Sequence, residues 1–161
     1  MKKWIIISIV ILLASSVGLI SVYLNATKPL RIAEKKAIEI AKQETNLTDF
    51  HDFQLSNGES TYFVLRAKDP NEEEVYVWIS EADGKALIKK VSSGVTEEEA
   101  VQTVYSNKDP KEIISVRLGM TKIQKTTRPA WEIYYRTDNG RLNYYYVDFE
   151  TGEKLRAIDN F

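Results

Sequence analysis

One pattern appears twice in this chain, and the repeat constrains the fold more than any other feature. Val75 to Lys90 reads VYVWISEADGKALIKK, and Tyr144 to Arg156 reads YYYVDFETGEKLR. In each, alternating apolar and aromatic residues run into a turn containing a glycine, Gly84 or Gly152, and a short charged strand follows. Helical periodicity precedes both. Over residues 29–44, Leu30, Ala33, Ala37, Ile40 and Ala41 form one apolar stripe, with Thr27 as the candidate cap and Pro29 in the first turn. Farther on, Thr96 and Glu99 form a capping box, and Ala100, Val101, Val104 and Tyr105 continue as a stripe.

Between helix and turn, each half offers strand-like stretches. The first half has DFHDFQLS, STYFVLRA, EEVYVWIS and KALIKKV. The second has KEIISVRLGMTKIQKT, PAWEIYYRT, RLNYYYVDF and EKLRAI, with a hairpin signal at Asp138-Asn139-Gly140. The spacing is steady: Ala37 answers Ala100 at an offset of 63, Arg66 answers Arg136 at 70, and Gly84 answers Gly152 at 68. This predicts an α+β chain of two tandem units, each one helix packed on an antiparallel sheet, covering residues 26–92 and 93–161.

Side chains alternate across a strand, so each sheet has two faces. Phe63, Leu65, Val77 and Ile79 take the core face of the first unit. Trp131, Ile133, Tyr135, Tyr145, Val147 and Phe149 take that of the second. The opposite faces also match, with Val64 aligned to Tyr134, Arg66 to Arg136, Tyr76 to Tyr144 and Trp78 to Tyr146. A sheet covered by one helix leaves its second face to water, which favours polar residues. Here that face carries aromatics beside arginine, the types enriched at binding hot spots. Arg66, Tyr76, Trp78, Tyr134, Arg136, Tyr144 and Tyr146 are therefore the candidate protein-interaction face. Two plainer readings stand beside it: strands favour aromatics, or the two sheets cover each other.

The start of the chain points to a membrane. Trp4 to Leu24 contains no charged residue. As a helix it would span about 31 Å at about 1.5 Å per residue, near the ~30 Å hydrocarbon core. Residues 1–25 are expected to form a cytoplasmic start and an uncleaved, single-pass signal anchor. A cleaved signal peptide is the alternative, disfavoured by the length of the run and the poor cleavage site at its end. Lys2 and Lys3 place the N-terminus in the cytoplasm and the bulk of the chain outside.

Composition excludes several function classes. There is no cysteine, hence no disulfide, zinc–thiolate or catalytic thiol. The chain has 22 basic and 23 acidic residues, and two of the basic ones precede the apolar run, so nothing draws it to nucleic acid. His51 is the only histidine. No nucleophile elbow, zincin, P-loop or dinucleotide motif occurs. Asp148 and Glu150 are a pair of carboxylates, but turn chemistry explains them without invoking glycoside hydrolysis. The acidic runs PNEEE and TEEE lack calcium-loop spacing. Lys122, Lys125 and Arg128 form a small basic strip, read as a solvated strand end or a contact for anionic polymer or lipid. No catalytic, cofactor or metal residues are expected.

The helix followed by WEIYY and YYYVDFETGE resembles the PepSY domain, a small cystatin-like α+β module found outside bacterial cells. The second half fits well. The first departs from the pattern, with Ser80 in place of Asp148 and Asp83 in place of Thr151. The anchor and the tandem units together resemble the YpmB/TseB family of Gram-positive cell-wall elongation regulators. That resemblance implies a non-enzymatic module that binds a class B penicillin-binding protein, or another extracytoplasmic protein, and modulates peptidoglycan synthesis. PepSY units also resemble protease inhibitors and propeptides, which gives the alternative function.

Overall fold

The computed structural model describes residues 2–159; the side chains of residues 2 and 5–11 fall outside the description. The chain forms two compact bodies, Met1–Lys36 and Ala37–Phe161.

The first body is part of helix α1 (Lys2–Glu44). The expected break before a new helix at Pro29 does not occur, and Pro29 sits inside α1. Thr27 does not cap. Its hydroxyl donates back to the carbonyl of Tyr23 at 3.0 Å and accepts from Arg31 Nη2 at 3.1 Å, an arrangement that keeps the backbone helical. Pro29 removes one N–H, and Asn25, whose carbonyl loses that donor, is exposed to solvent. Leu30, expected in the buried stripe, is 50% exposed. Among the described residues, no helix is long and apolar enough to cross a membrane. The expected anchor includes residues 5–11, whose side chains lie outside the description.

The second body holds both repeats, as two antiparallel four-stranded sheets. The first has the order β1 (Thr48–Asn57), β2 (Thr61–Lys68), β3 (Glu74–Ser80) and β4 (Ala86–Lys90). A 3-10 turn at Val91–Ser93 leads to α2 (Glu97–Asn107). The second sheet has the order β5 (Glu112–Ile123), β6 (Thr126–Arg136), β7 (Leu142–Asp148) and β8 (Lys154–Ile158). The capping box of α2 is formed: Thr96 Oγ1 accepts from Glu99 N at 3.2 Å, and Thr96 N donates to Glu99 Oε2 at 2.8 Å.

The duplication extends to single backbone bonds. Ser80 N donates to Lys85 O, and Asp148 N donates to Glu153 O. Glu81 N donates to Thr61 O, and Phe149 N to Pro129 O. Gly84 N donates to Ser80 O, and Gly152 N to Asp148 O. Gly84 and Gly152 each have φ +72°, the left-handed conformation this turn requires. All three bond pairs keep an offset of 68.

That register corrects the sequence alignment at one strand. Arg66 pairs with Tyr76, and Tyr134 pairs with Tyr144. Arg66 is therefore equivalent to Tyr134, and Arg136 to Lys68. The β2–β3 and β6–β7 hairpins are equally long, so no insertion lies between them. The length change falls earlier, because Leu55 opposite Phe63 is equivalent to Leu118 opposite Trp131, at an offset of 63. The second unit thus carries its five extra residues in the β5–β6 hairpin, which continues as paired strand out to Ile123 and Thr126.

The expected core faces are buried. Phe63, Leu65, Val77 and Ile79 are buried beneath the apolar stripe that Ala37 and Ala41 supply from the end of α1. Trp131, Ile133, Tyr135, Tyr145, Val147 and Phe149 share one cluster with Ala100 and Val104 of α2. Tyr105 was expected in the α2 stripe but is 49% exposed.

Candidate interaction surface

Val64 and Trp78, outer-face residues of the first sheet, belong to the core cluster of the second. Trp78 is 1% exposed. Its ring lies 5.5 Å from that of Phe149, edge-on, and Tyr76 meets Trp131 and Phe149 at 6.3 and 5.7 Å. The second sheet therefore covers the outer face of the first. Trp78 cannot meet an outside partner, which corrects its place in the candidate face.

Polar side chains seal this junction. An edge strand presents unpaired backbone groups, which proteins cover or blunt. Three side chains from the first sheet serve the edge of β5. Gln54 Oε1 accepts from Leu118 N at 2.9 Å, Ser56 Oγ accepts from Met120 N at 3.3 Å, and Trp78 Nε1 donates to Gly119 O at 3.1 Å. A Cβ on Gly119 would lie 2.3 Å from Ser56 Oγ, so glycine is needed for this approach. Lys89–Glu150 at 2.7 Å and Lys122–Glu59 at 3.0 Å bridge the rim.

Arg66 and Tyr76 are partly buried beside the junction. The Arg66 guanidinium lies 5.6 Å from the Tyr76 ring centroid. Its Nη1 is 3.6 Å from Asp52 and its Nε 3.4 Å from Glu74. His51 Nε2 sits 3.7 Å from Glu74, and His51 Nδ1 lies 2.8 Å from the carbonyl of Asp49. Two bulges in β1 shape the cluster, with Asp49 and Asp52 at φ +52° and +51°, a region aspartate tolerates. Burial raises the Tyr76 pKa.

The outer face of the second sheet is not covered in this way. Tyr134 and Tyr144 are directly paired across β6 and β7, with rings stacked at 4.6 Å. Both are partly exposed. Arg136 is exposed and lies 3.6 Å from Glu112. Tyr146 donates its hydroxyl to Glu132 Oε1 at 3.2 Å. Burial, reinforced by the Glu132 charge, pushes the Tyr146 pKa up to about 12. At one end, the β1–β2 hairpin leaves a cleft of about 50 Å³ lined in part by Tyr146, Glu132 and Arg156. Strand alternation already puts Glu132 on this outer face, outside the candidate set, whereas Arg156 was missed; its place opposite Tyr146 in the register would have flagged it.

Asp148 is 4% exposed, and its carboxylate is fully engaged. Oδ1 accepts from Glu150 N at 2.9 Å and Thr151 N at 3.0 Å, and Oδ2 takes Arg128 Nη1 at 3.0 Å. This is a turn anchor. In the first unit Asp83 acts instead, its pKa held low first by a hydrogen bond with Ser80 and then by Lys85. Of the basic strip, Lys122 and Arg128 are paired with Glu59 and Asp148. Among the described residues, no group of three or more potential ligands could hold a metal ion.

Two helix-on-sheet repeats, the first docked by its outer face on the second, are consistent with tandem PepSY-like units. Residues 36–80 match the family described as cell wall elongation regulator TseB-like domain, and residues 94–157 match PepSY, described as peptidase propeptide and YPEB domain. Among solved structures, the YpmB protein from Bacillus subtilis is 26% identical with a TM-score of 0.69, over 78% of this chain and 95% of that one. No curated protein sequence matches. These matches support a YpmB/TseB-like PepSY family for the chain.

Proposed function

We propose that this chain is a non-enzymatic, membrane-anchored binding module that acts outside the cytoplasm and regulates peptidoglycan synthesis through a class B penicillin-binding protein. The carrying observation is the second sheet's outer face, where the Tyr134–Tyr144 stack and Arg136 meet solvent in a folded unit. The wall-synthesis part rests on the description of the family matched by residues 36–80. Support for the anchor comes from α1, whose Leu12, Leu13, Val17, Leu19, Ile20, Val22 and Leu24 are all exposed apolar side chains, a surface suited to lipid. An anchor confines the module to the membrane plane and raises its effective concentration near other anchored proteins, so a modest interface suffices.

The test is co-purification of the class B penicillin-binding proteins with the full chain from detergent-solubilised membranes. Recovery from the unmodified chain and loss from Tyr134→Ala/Tyr144→Ala is expected. Equal recovery from both would overturn the assignment of this face.

A second reading is a protease-inhibitor or propeptide-like module, favoured by the description of the family matched by residues 94–157. It would be recognised by inhibition of a cell-surface protease by the full chain.

A further inference from the structure

One cross-strand row differs in kind between the two units. In the first sheet, register aligns Gln54, Val64, Trp78 and Leu87 across β1 to β4. That row docks on the second sheet through Trp78 and Gln54. The equivalent row across β5 to β8 is Arg117, Glu132, Tyr146 and Arg156. Directly paired residues share a face, so all four project to the same outer side as Tyr134 and Tyr144, with the β1–β2 hairpin flanking the Glu132, Tyr146 and Arg156 end. An apolar docking row has become a charged one.

The charges are arranged unevenly. Glu132 is engaged by the Tyr146 hydroxyl, and Arg136 has Glu112. Arg117 and Arg156 are exposed, and neither forms an ion pair with a carboxylate among the described residues. They stand at opposite sides of the sheet, three strand spacings apart, about 14 Å. Between them lie Glu132 and Tyr146, and the neighbouring row on the same face carries the stacked tyrosines, with Ile158 opposite Tyr144. Arginine offers a planar fork to a carboxylate, and an unpaired one beside aromatic surface is a ready partner for it.

We propose that this face recognises an acidic protein segment in which two carboxylates straddle an apolar side chain. Arg117 and Arg156 hold the carboxylates, and the Tyr134–Tyr144 stack seats the apolar group. An extended segment crossing the strands would place its acidic residues about four positions apart, at about 3.3 Å per residue. The inference rests on the reading above that this face binds a protein partner.

The test uses the full chain in its own cells, with a photo-reactive residue at Ser115, which is paired with Tyr134 on the same face. The captured contact segment is identified by mass spectrometry. Three versions are compared: otherwise unmodified, Arg117→Glu/Arg156→Glu, and Arg117→Lys/Arg156→Lys. Both arginines are exposed, so unchanged thermal midpoints verify that each version folds. The expected result is a captured segment carrying two acidic residues, with capture falling about tenfold on charge reversal and largely kept by the lysine version. Replacing those two acidic residues by lysine in the partner should restore capture by the reversed protein. Capture of a protein that is indifferent to charge reversal would overturn the acidic-segment inference and leave the partner-binding face standing. Capture of nothing, of lipid only, or of a second copy only would overturn both.

Discussion

Trp78 Nε1 donates a hydrogen bond to the backbone carbonyl of Gly119, 3.1 Å away and 41 positions along the chain. This bond joins the two repeated units where the apolar face of one meets the open edge of the other. Trp78→Phe would keep most of the ring but lose the hydrogen bond to the Gly119 carbonyl, at a cost of about 0.5–1.5 kcal/mol. Trp78→Ala would also empty a buried site, for about 3–5 kcal/mol. Because the two sheets share a core, thermal unfolding followed by circular dichroism should show a single transition for residues 37–159, shifted down in both variants. Two separated transitions in the unmodified protein would contradict the shared core.

Gly119 and Ser56 should be energetically coupled. Gly119→Ala pushes a methyl into Ser56 Oγ and costs about 1–3 kcal/mol through overpacking. Ser56→Ala alone removes the acceptor for Met120 N and costs about 1 kcal/mol. Together they should cost less than the two added, because the second change removes the atom the first collides with. A double-mutant cycle by chemical denaturation measures the coupling, and strict additivity would show that the strand shifts away instead.

Asp148 should matter for stability and not for any wall-polymer turnover. Asp148→Ala removes acceptors for two backbone N–H groups and for Arg128, so a loss of about 2–3 kcal/mol is expected. Asp148→Ser, the residue that begins the equivalent turn as Ser80, should recover part of it. Denaturation midpoints of the two variants provide the comparison.

The second sheet should lose stability at alkaline pH. Tyr146 has its pKa raised to about 12 by burial and the nearby Glu132, and Tyr135 is raised to about 12 by burial and Asp159. An unfolded tyrosine titrates near 10. Below about pH 10 both states hold the proton and stability is intact; between about 10 and 12 the unfolded chain releases it first and stability falls. Tyr146→Phe should flatten that decline, as read from denaturation midpoints at pH 9 and about 11.5.

Tyr134→Ala or Tyr144→Ala should separate folding from binding. The rings are partly exposed and stacked on each other, so either change should cost about 0.5–1.5 kcal/mol of stability. Partner recovery should fall much further than the folded fraction. Parallel losses in both would reduce these tyrosines to a structural pair.

Much of the fold is carried by local pattern. The helix stripes at Ala37 and Ala41 and at Ala100 and Val104, the α2 capping box and the paired Gly84 and Gly152 turns follow from periods of 3.6 and 2 and from glycine's freedom at positive φ. These depend on residues a few positions apart, so a sequence displays them directly. The repeat itself is legible for the same reason, although letter matching slipped Arg66 by two residues where only strand pairing could fix the register.

Which of the two repeated outer faces is covered was decided by the tertiary structure alone. Trp78 and Tyr146 occupy equivalent positions with similar neighbours in sequence. One is sealed against the second sheet, and the other faces outward beside Arg156. The difference comes from the edge of β5, whose backbone groups take Gln54, Ser56 and Trp78, residues 41 to 64 positions away. The second unit has no such edge docked on its own outer face. Burial of a sheet face depends on what packs against it from far along the chain, and alternation of side chains records only that two faces exist.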